Sequence, residues 1–546
     1  MSSKSDETSG RLTNDQGPGE VSRREFIAGG AAAVGAAALA PSLLFAATSK
    51  TKRPPNILFI LTDNQPASMI GCYGSPDIKT PHIDRLADEG TRFTEAFAVN
   101  GLCSPTRATL MTGLIPSQHG VHDWIDDYMI GQRPADWCAV QEFRTLPLTL
   151  ANRGYRTSMI GKYHMGQPRH VMPGFQEWVT FPYGHTQSFW HNTIIDNGRE
   201  FKLDGKHIVE FFAEKGADWL RRYDGKKPFY LQLNFDGPYL LPPTNLGPDP
   251  NPFYKEYLGK QFKAWPRTRF SEEILKHISG PDDPNNFELH LIYDCIRMHQ
   301  DPESMANMAS QNAMVDYGVG IVVDALRERG LDENTLLVFT TDQADFYGQH
   351  GLYGHTNFTV PSVLYDAVLN IPLIMRQPGV VPAGKVNDLM IGQYDFLPTL
   401  LDCAGFGAVP IANTPGRSFA PALRGEKIAA WGEDVFFEQE ESRGIRTRKY
   451  AYWKRLPQFG KSALFDVEKD PEQNTDVIDR PEYQKIAQEL DQKLTAFFAR
   501  YLDPQYDLWN NGKTKSFTGR TAILDRKMQI GWVQDTAPKP MFKDTK

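Results

Sequence analysis

Cysteine is scarce in this chain, and no two cysteines have the spacing of a metal site. The 546 residues include five, at Cys72, Cys103, Cys138, Cys295 and Cys403. Without a C-x-x-C pair, nothing favours a zinc site built from thiolates. An odd number leaves at least one thiol outside any set of disulfides. One cysteine therefore needs a separate explanation, and Cys103 is the strongest candidate.

The chain also lacks an excess of basic charge and any repeated unit. Lysine and arginine total 59 against 66 acidic residues, a net charge of −7, and the basic residues form no stripe. This argues against nucleic acid as a partner. No segment repeats at a fixed length, which argues against a solenoid. The composition is that of an ordinary globular protein, and the length predicts two or more structural units.

The first fifty residues contain an apolar run but few strong hydrophobes. Residues 1–20 have the polar composition of a disordered segment. Arg23 and Arg24 precede an Ala- and Gly-rich run at 28–47, which is typical of a twin-arginine signal peptide. A membrane anchor is the alternative, but so weak a run favours a cleaved signal over a stable span. Residues 1–50 therefore predict export by the twin-arginine machinery, to the periplasm or the medium.

Short apolar runs alternate with predicted helices over residues 51–425. An apolar run bounded by polar residues suits a strand buried on both faces of a parallel sheet. The pattern predicts an α/β fold with a mainly parallel central sheet flanked by helices. Strands are predicted at 56–62, 157–160, 228–235 and 335–341, and helices at 80–90, 106–112, 145–153 and 308–328.

Beyond residue 425 the pattern changes to short strands separated by turn residues. Residues 426–546 predict a C-terminal antiparallel α+β subdomain that ends in an irregular tail beyond Asp503. Residues 240–285, rich in Pro, Asp and aromatic residues, predict an inserted loop that walls a pocket. The strands of the subdomain are predicted at 435–440, 444–448, 450–454 and 463–467, and its helix at 483–501.

Polar residues follow two of the predicted buried strands. Asp63 and Asn64 come after the first, and Asp342 and Gln343 after the last. Open α/β sheets place their sites beyond the carboxyl ends of parallel strands. Oxygen ligands of this kind suit Ca²⁺ or Mg²⁺, and Ca²⁺ is favoured because it accepts more of them. A turn or helix cap is the alternative for each aspartate, but two pairs in matching positions favour a metal site.

The most specific motif is Cys103-Ser104-Pro105-Thr106-Arg107, which continues as A-T-L-M-T-G. A buried structural cysteine is the alternative. The motif resembles the signature recognised by the enzymes that convert cysteine to formylglycine in the sulfatase family, whose fold is alkaline-phosphatase-like. The resemblance runs from residue 54 to about 480. Further segments that resemble family motifs are 54–63, 72–74, 80–93, 161–166, 340–343, 348–352, 395–400 and 464–471.

That resemblance implies hydrolysis of sulfate monoesters by a formylglycine made from Cys103, beside a divalent metal. A formylglycine-generating or anaerobic sulfatase-maturating enzyme would be a partner. The implied metal ligands are Asp63, Asn64, Cys103, Asp342 and Gln343. The implied catalytic residues are Cys103, Arg107, Lys162, His164 and His355. The implied substrate-binding residues are Lys162, Tyr239 and His355.

The resemblance also implies a role for individual groups. Arg107 and Lys162 would hold anionic oxygens. Asp342 would help to deprotonate the attacking hydroxyl. His164 would take the proton of the second hydroxyl, which expels sulfate and restores the aldehyde.

Four positions depart from the family pattern. Asn64 stands where Asp is common and Gln343 where Asn is common, which makes the metal pocket less negative. Tyr239 replaces a histidine, and a tyrosine is a poor acid near neutral pH. His355 stands where many members have a sulfate-binding lysine, so it is predicted to act as a cation or as the proton donor.

Two other functions remain open from the sequence. One is hydrolysis of phosphonate or phosphate monoesters, and the other is non-catalytic binding of sulfated glycans. A sulfated carbohydrate is the favoured substrate by analogy with exported bacterial sulfatases. Aromatic side chains at 167–200 would either stack on such a sugar or pack their own loop. They are Trp178, Phe181, Tyr183, His185, Phe189, Trp190 and His191.

Overall fold

The computed structural model describes the chain from Arg53 to Trp532, except residues 126, 242–243, 267–293, 296, 299–300, 357–358, 360, 408–410 and 517–530. The predicted signal peptide and much of the predicted inserted loop lie outside the described residues. From Arg53 onward the chain forms one compact unit, and the domain boundary at residue 425 stays a prediction. Among the helices described here, none combines the length and the apolar character that crossing a membrane requires.

Strands make up the centre of the structure and a second, smaller sheet. They are β1 (Asn56–Asp63), β2 (Thr91–Phe97), β3 (Arg156–Gly161), β4 (Glu177–Thr180), β5 (His191–Asp196), β6 (Arg199–Asp204), β7 (Phe229–Pro238), β8 (Thr335–Thr341), β9 (Phe346–Tyr347), β10 (Tyr353–Gly354), β11 (Asn370–Arg376), β12 (Lys385–Asn387), β13 (Ile391–Gly392), β14 (Asp434–Gln439), β15 (Ser442–Thr447), β16 (Tyr450–Arg455), β17 (Ala463–Asp466), β18 (Lys513–Thr514) and β19 (Gly531–Trp532).

Helices connect most of these strands and cover the central sheet. They are α1 (Pro81–Asp88), α2 (Cys103–Thr112), α3 (Pro116–His119), α4 (Asp127–Gly131), α5 (Leu146–Asn152), α6 (Ile208–Arg222), α7 (Tyr254–Tyr257), α8 (Pro302–Glu328), α9 (Asp366–Leu369), α10 (Phe396–Cys403), α11 (Ala420–Leu423) and α12 (Gln484–Tyr501).

The central sheet has eleven strands in the order β12-β2-β11-β8-β1-β7-β3-β4-β5-β6, with β13 beside β2. The run β8-β1-β7-β3-β4 is parallel throughout. Antiparallel pairs extend it on both sides, through β11 on one and through β5 and β6 on the other. The predicted α/β fold with a mainly parallel central sheet is confirmed.

Side chains of β1 alternate between two hydrophobic cores, one on each face of the sheet. Phe59 and Leu61 pack with α2, α5 and α10, whereas Leu58 and Ile60 pack with α1, α6 and α8. Covered on both faces, the strand has no polar side chain between Ile57 and Leu61, which is the sequence pattern of a central parallel strand.

Strand register brings the two polar pairs together. Thr62 of β1 is paired with Thr341 of β8. Because parallel strands end at the same edge of a sheet, Asp63 and Asp342 leave that edge side by side. Helix α2 begins at Cys103 against the same edge.

A second sheet, β14-β15-β16-β17, is antiparallel and carries α12. Its strands agree with the predicted ones to within two residues. Residues 503–516, a described part of the predicted tail, lie on the main part of the protein. Asp503 N donates to Ser117 O at 2.9 Å, and Lys515 N donates to Gly120 O at 2.7 Å.

The aromatic segment at 167–200 is largely structural. It contains β4 and β5, which extend the central sheet and were not predicted. Trp178, Phe181 and Phe189 are at most 2% exposed and belong to the two cores. Stacking on a substrate is therefore wrong for these three side chains. His185 is partly exposed and stays a candidate.

Candidate active site

The side chain of Cys103 lies at the centre of a buried cluster of polar groups. Its Sγ is 3.6 Å from Asp63 Oδ1 and 3.7 Å from Asn64 Oδ1. It is 3.5 Å from Lys162 Nζ and 3.2 Å from Gln343 Nε2. The first turn of α2 thus meets the ends of β1, β3 and β8 at one point, whereas the sequence predicted a meeting with the ends of β1 and β8 only.

The oxygen donors of this cluster suit a hard divalent cation. One ligand atom from each of Asp63, Cys103 and Asp342 lies within 4.8 Å of the others. Asn64 turns Oδ1 toward Cys103, with its backbone in the left-handed region at φ 64°. Two carboxylates with amide oxygens, and no histidine, are the ligands of Ca²⁺ or Mg²⁺ rather than Zn²⁺.

Gln343 faces the centre with the nitrogen end of its amide. Its Nε2 donates to Asn64 Oδ1 and to Cys103 Sγ, and its Oε1 accepts from Thr106 Oγ1 at 3.4 Å. Rotation of the amide by half a turn exchanges the two ends without changing its shape. Gln343 can therefore offer an oxygen to a cation at this place only in the rotated orientation.

Two buried cations balance the carboxylates. Lys162 Nζ lies 2.6 Å from Asp63 Oδ2, and Arg107 Nη2 lies 2.7 Å from Asp342 Oδ2 and 3.3 Å from Asp63 Oδ1. Burial raises the pKa of Asp63 to about 6. Burial also acts to raise the pKa of Asp342, but Arg107 and Lys162 outweigh it and hold that pKa below its usual range. A divalent cation would thus enter a site whose carboxylates are already oriented.

Lys162 is the cation that faces position 103 most directly. Burial lowers its pKa, but the Asp63 carboxylate, together with Cys103 and Asp342, outweighs that effect and keeps the pKa above its usual value. The ammonium group therefore stays charged at neutral pH. Arg107, in contrast, donates its hydrogen bonds to Asp342, to Asp63 and to the carbonyl of Lys162.

His164 has one buried ring nitrogen that contacts no polar group of the described residues. Its Nε2 lies 3.1 Å from Ile125 O, which accepts a hydrogen bond, whereas Nδ1 has no hydrogen-bond partner in the described part of the chain. Burial, reinforced by Lys162, holds the pKa of the ring well below its usual value. Ser104 Oγ donates to the carbonyl of His164 at 2.8 Å and ties it to the first turn of α2. The ring is a neutral acceptor, as the removal of a proton requires.

His355 is joined to an aspartate that sequence reasoning missed. Its Nδ1 lies 2.5 Å from Asp345 Oδ1, and its Nε2 lies 3.4 Å from Asn64 Nδ2. Burial lowers the pKa of the ring, but the Asp345 carboxylate outweighs it and raises the pKa to about 10. His355 is therefore a cation where many sulfatases have lysine. The sequence shows Asp345 only as an acidic residue three positions after Asp342.

Tyr239 borders the site as a neutral side chain. Its ring centroid is 4.7 Å from Lys162 Nζ and 6.3 Å from the ring of His355. Burial raises the pKa of its hydroxyl well above the usual value. Tyr239 can pack against the lysine and donate a hydrogen bond, but it is a poor acid.

Three further polar groups lie near these residues, of which the sequence suggested His185 but not Asp236 or Trp124. Asp236 is fully buried with Oδ1 unpartnered, and burial raises its pKa to about 8. Trp124 has an unpartnered Nε1, and its ring is perpendicular to that of His185 at 5.6 Å. Burial, then the charges of Lys162 and His355, lower the pKa of His185 to about 4. Asp236, Trp124 and His185 thus line one side of the site, near Lys162.

Known protein families match most of the chain. The model described as Sulfatase matches residues 55–406. The model described as N-sulphoglucosamine sulphohydrolase, C-terminal, matches residues 348–500. The two matches together span the central sheet and the C-terminal sheet.

The matches to individual relatives also extend over most of this chain and most of each relative. The chain is 26% identical to N-acetylglucosamine-6-O-sulfatase of Bacteroides thetaiotaomicron, over 88% of this chain and 91% of that protein. It is 27% identical to human N-sulphoglucosamine sulphohydrolase, over 77% of this chain and 76% of that protein.

Among solved structures, one is a complex with its substrate D-glucosamine-2-N,6-O-disulfate. It has a TM-score of 0.60 and 24% identity, and covers 82% of this chain and 98% of that one. The phosphonate monoester hydrolase of Agrobacterium radiobacter has a TM-score of 0.64 and 22% identity, with 83% and 97% covered. Since both share the fold, the fold alone does not distinguish sulfate from phosphonate chemistry.

Proposed function

Because the chain belongs to the sulfatase family and hydrolyses sulfate esters, we propose that it does so with a formylglycine made from Cys103, beside a divalent metal, on a sulfated carbohydrate. The observation that carries the proposal is the position of Cys103. Its sulfur lies within 3.7 Å of polar atoms of Asp63, Asn64, Lys162 and Gln343.

The metal would be Ca²⁺, with Mg²⁺ as the alternative. Its ligands would be Asp63, Asn64, Asp342 and Gln343 together with the modified side chain at 103, and when bound it supplies a Lewis acid for the sulfate oxygens. The carboxylates of Asp63 and Asp342 are held for this role by Lys162 and Arg107.

Formylglycine would supply the nucleophile, since one hydroxyl of its hydrate attacks the sulfur atom. Asp342 would help to remove the proton of that hydroxyl. His164 would accept the proton of the second hydroxyl at its unpartnered Nδ1. The neutral state of the ring, which burial enforces, supports this role because a protonated histidine cannot accept a proton.

Lys162 and His355 would bind the sulfate group. Lys162 Nζ is 3.5 Å from Cys103 Sγ, close enough to donate to an oxygen of a group bound there. His355 is cationic, and its Nε2 lies on the side of Asn64, which itself contacts Cys103, so it can hold a second oxygen or protonate the leaving alcohol. Arg107 would act on the anionic oxygens indirectly, through the two carboxylates that it orients.

The substrate is proposed to be a sulfated sugar because relatives are named for such substrates. N-Acetylglucosamine-6-O-sulfatase and N-sulphoglucosamine sulphohydrolase are examples. Trp124, whose buried Nε1 has no hydrogen-bond partner among the described residues, and His185, whose side chain is partly exposed, are suited to hydroxyl groups on the alcohol half of the ester. The twin-arginine motif supports export, and conversion of Cys103 would require a formylglycine-generating or anaerobic sulfatase-maturating enzyme.

A comparison of substrates tests the proposal. Protein produced with a maturating enzyme and loaded with Ca²⁺ is assayed on an aryl sulfate, an aryl phosphonate and a panel of sulfated mono- and oligosaccharides. The expected kcat/KM is highest for a sulfated sugar, and Cys103→Ala, which cannot be converted to an aldehyde, abolishes it. Preference for the phosphonate would favour the second hydrolase function. Binding of sulfated sugars, with no turnover of either the sulfates or the phosphonate, would favour the non-catalytic binding function.

A further inference from the structure

We propose that Asp345 is a positioning residue, which orients Asn64 toward the metal and His355 toward the substrate at the same time. The inference rests on the proposed function. It extends that function by a group that touches neither the cation nor the sulfate, and it explains how the site works with Asn at position 64.

Asp345 uses each of its carboxylate oxygens for one of these residues. Oδ1 lies 2.5 Å from His355 Nδ1, and Oδ2 accepts from Asn64 Nδ2 at 3.0 Å. Asp345 is 1% exposed, so water does not compete for either oxygen. Residues behind metal ligands commonly fix the orientation of those ligands in this way.

For Asn64, the bond to Asp345 acts together with the bond that Oδ1 accepts from Gln343 Nε2, and the two decide which end of the amide faces the metal centre. An asparagine side chain has the same shape in both orientations, so only its hydrogen bonds select one. With Nδ2 held by Asp345, Oδ1 points to Cys103 Sγ at 3.7 Å. An oxygen is the end that a hard cation requires.

For His355, the bond decides which ring nitrogen faces the reacting group. Nδ1 is taken by Asp345, so Nε2 is the nitrogen on the side of Asn64, 3.4 Å from its Nδ2. One carboxylate therefore sets the orientation of a metal ligand and of a substrate-binding side chain together.

The arrangement places a negative charge behind position 64 rather than on it. A carboxylate at position 64 would stand about 3 Å from that of Asp345, where like charges repel strongly. It should therefore be possible to move the negative charge from position 345 to position 64, provided that both residues are exchanged together. The exchange variant Asn64→Asp/Asp345→Asn keeps one carboxylate and one amide in contact and should bind Ca²⁺, whereas each single variant should not bind it well.

Calorimetric titration of the purified, unmodified protein with Ca²⁺ tests this without relying on activity. Asp345→Asn is expected to weaken binding about 10- to 100-fold. Asn64→Asp alone is expected to weaken binding, and the exchange variant is expected to recover most of the loss. Asp316→Asn is the matched control and should bind Ca²⁺ as the unsubstituted protein does. Asp316 is another buried carboxylate, and it accepts backbone hydrogen bonds away from the site.

Turnover separates the two halves of the role. In the exchange variant, His355 still lacks its carboxylate, so kcat on an aryl sulfate should stay low although Ca²⁺ affinity has recovered. Unchanged Ca²⁺ affinity in Asp345→Asn, or tighter binding in Asn64→Asp, would overturn the inference. If Asp345→Asn does not fold, the comparison of Asn64→Asp with the exchange variant decides. Failure of the unchanged protein to bind Ca²⁺ or cleave sulfate would instead refute the proposed function.

Discussion

The ammonium group of Lys162 lies 2.6 Å from Asp63 Oδ2, and both side chains are completely buried. The same nitrogen is 3.5 Å from Cys103 Sγ. Lys162 thus holds one proposed metal ligand in place and presents its charge to the proposed nucleophile.

Replacement of Lys162 by methionine should reduce kcat/KM for an aryl sulfate by about 10²- to 10³-fold, because a preorganised cation is lost from the site. It should also destabilise the protein, since a buried carboxylate loses its partner. Lys515→Met is the matched control, because Lys515 is likewise buried and paired with a carboxylate, that of Glu142. It should lower stability while kcat of the folded enzyme is retained. An equal loss of activity in both variants would contradict a specific role for Lys162.

Tyr239 and His355 should respond differently to removal of their polar groups. Tyr239→Phe should keep kcat within about tenfold, because a hydroxyl whose pKa lies well above the usual value is a poor proton donor. His355→Gln should lower kcat by about 10²- to 10⁴-fold if it binds sulfate or protonates the leaving group. Steady-state kinetics on an activated and an unactivated sulfate ester measures both. A larger loss in Tyr239→Phe than in His355→Gln would reverse the assignment.

Arg443 should matter for stability rather than for catalysis. It lies 2.7 Å from Glu438 and 2.6 Å from Asp507 and is nearly buried, so it joins β14 and β15 to the tail. Arg443→Met should lower the free energy of unfolding by about 3–5 kcal/mol, because two carboxylates lose their cation. Urea unfolding measures this. Arg448→Met, which breaks exposed ion pairs with Asp388 and Glu433, should cost at most about 1 kcal/mol.

His207 should make stability depend on pH. Burial lowers its pKa to about 4, whereas the unfolded chain has the ordinary value near 6.5. Between these pH values only the unfolded state binds the proton. The contribution of His207 to the free energy of unfolding is therefore fully present above pH 6.5, and it falls by about 3 kcal/mol toward pH 4. His207→Asn retains a side chain able to cap α6. Its unfolding free energy should fall less steeply over that range, and an unchanged slope would contradict the shifted pKa.

The clustering of the proposed metal ligands could be predicted because these residues follow recognisable strands. Asp63 and Asp342 are the first polar residues after apolar runs, and the register of β1 and β8 places them side by side. Cys103 was identified from its motif.

Helix α8 begins at Pro302, six residues before the predicted start, because Asp301 caps it by accepting from Ser304 N.

Asp345 could not be predicted in the same way. Its role depends on Asn64, which is 281 residues away in the chain, and no local pattern signals such a pair. Strands β4, β5 and β6 were also missed, because their aromatic residues suggested a binding loop. Burial of Trp178 in the core explains that composition by packing instead.

The central claim is that Cys103 becomes the formylglycine of a sulfatase site. Mass spectrometry of the peptide containing Cys103, from protein produced with a maturating enzyme, tests it most directly. We expect a mass roughly 18 Da below that of the unmodified cysteine peptide, because the thiol becomes an aldehyde. A reduced thiol at Cys103 in protein that still hydrolyses sulfate esters would contradict it.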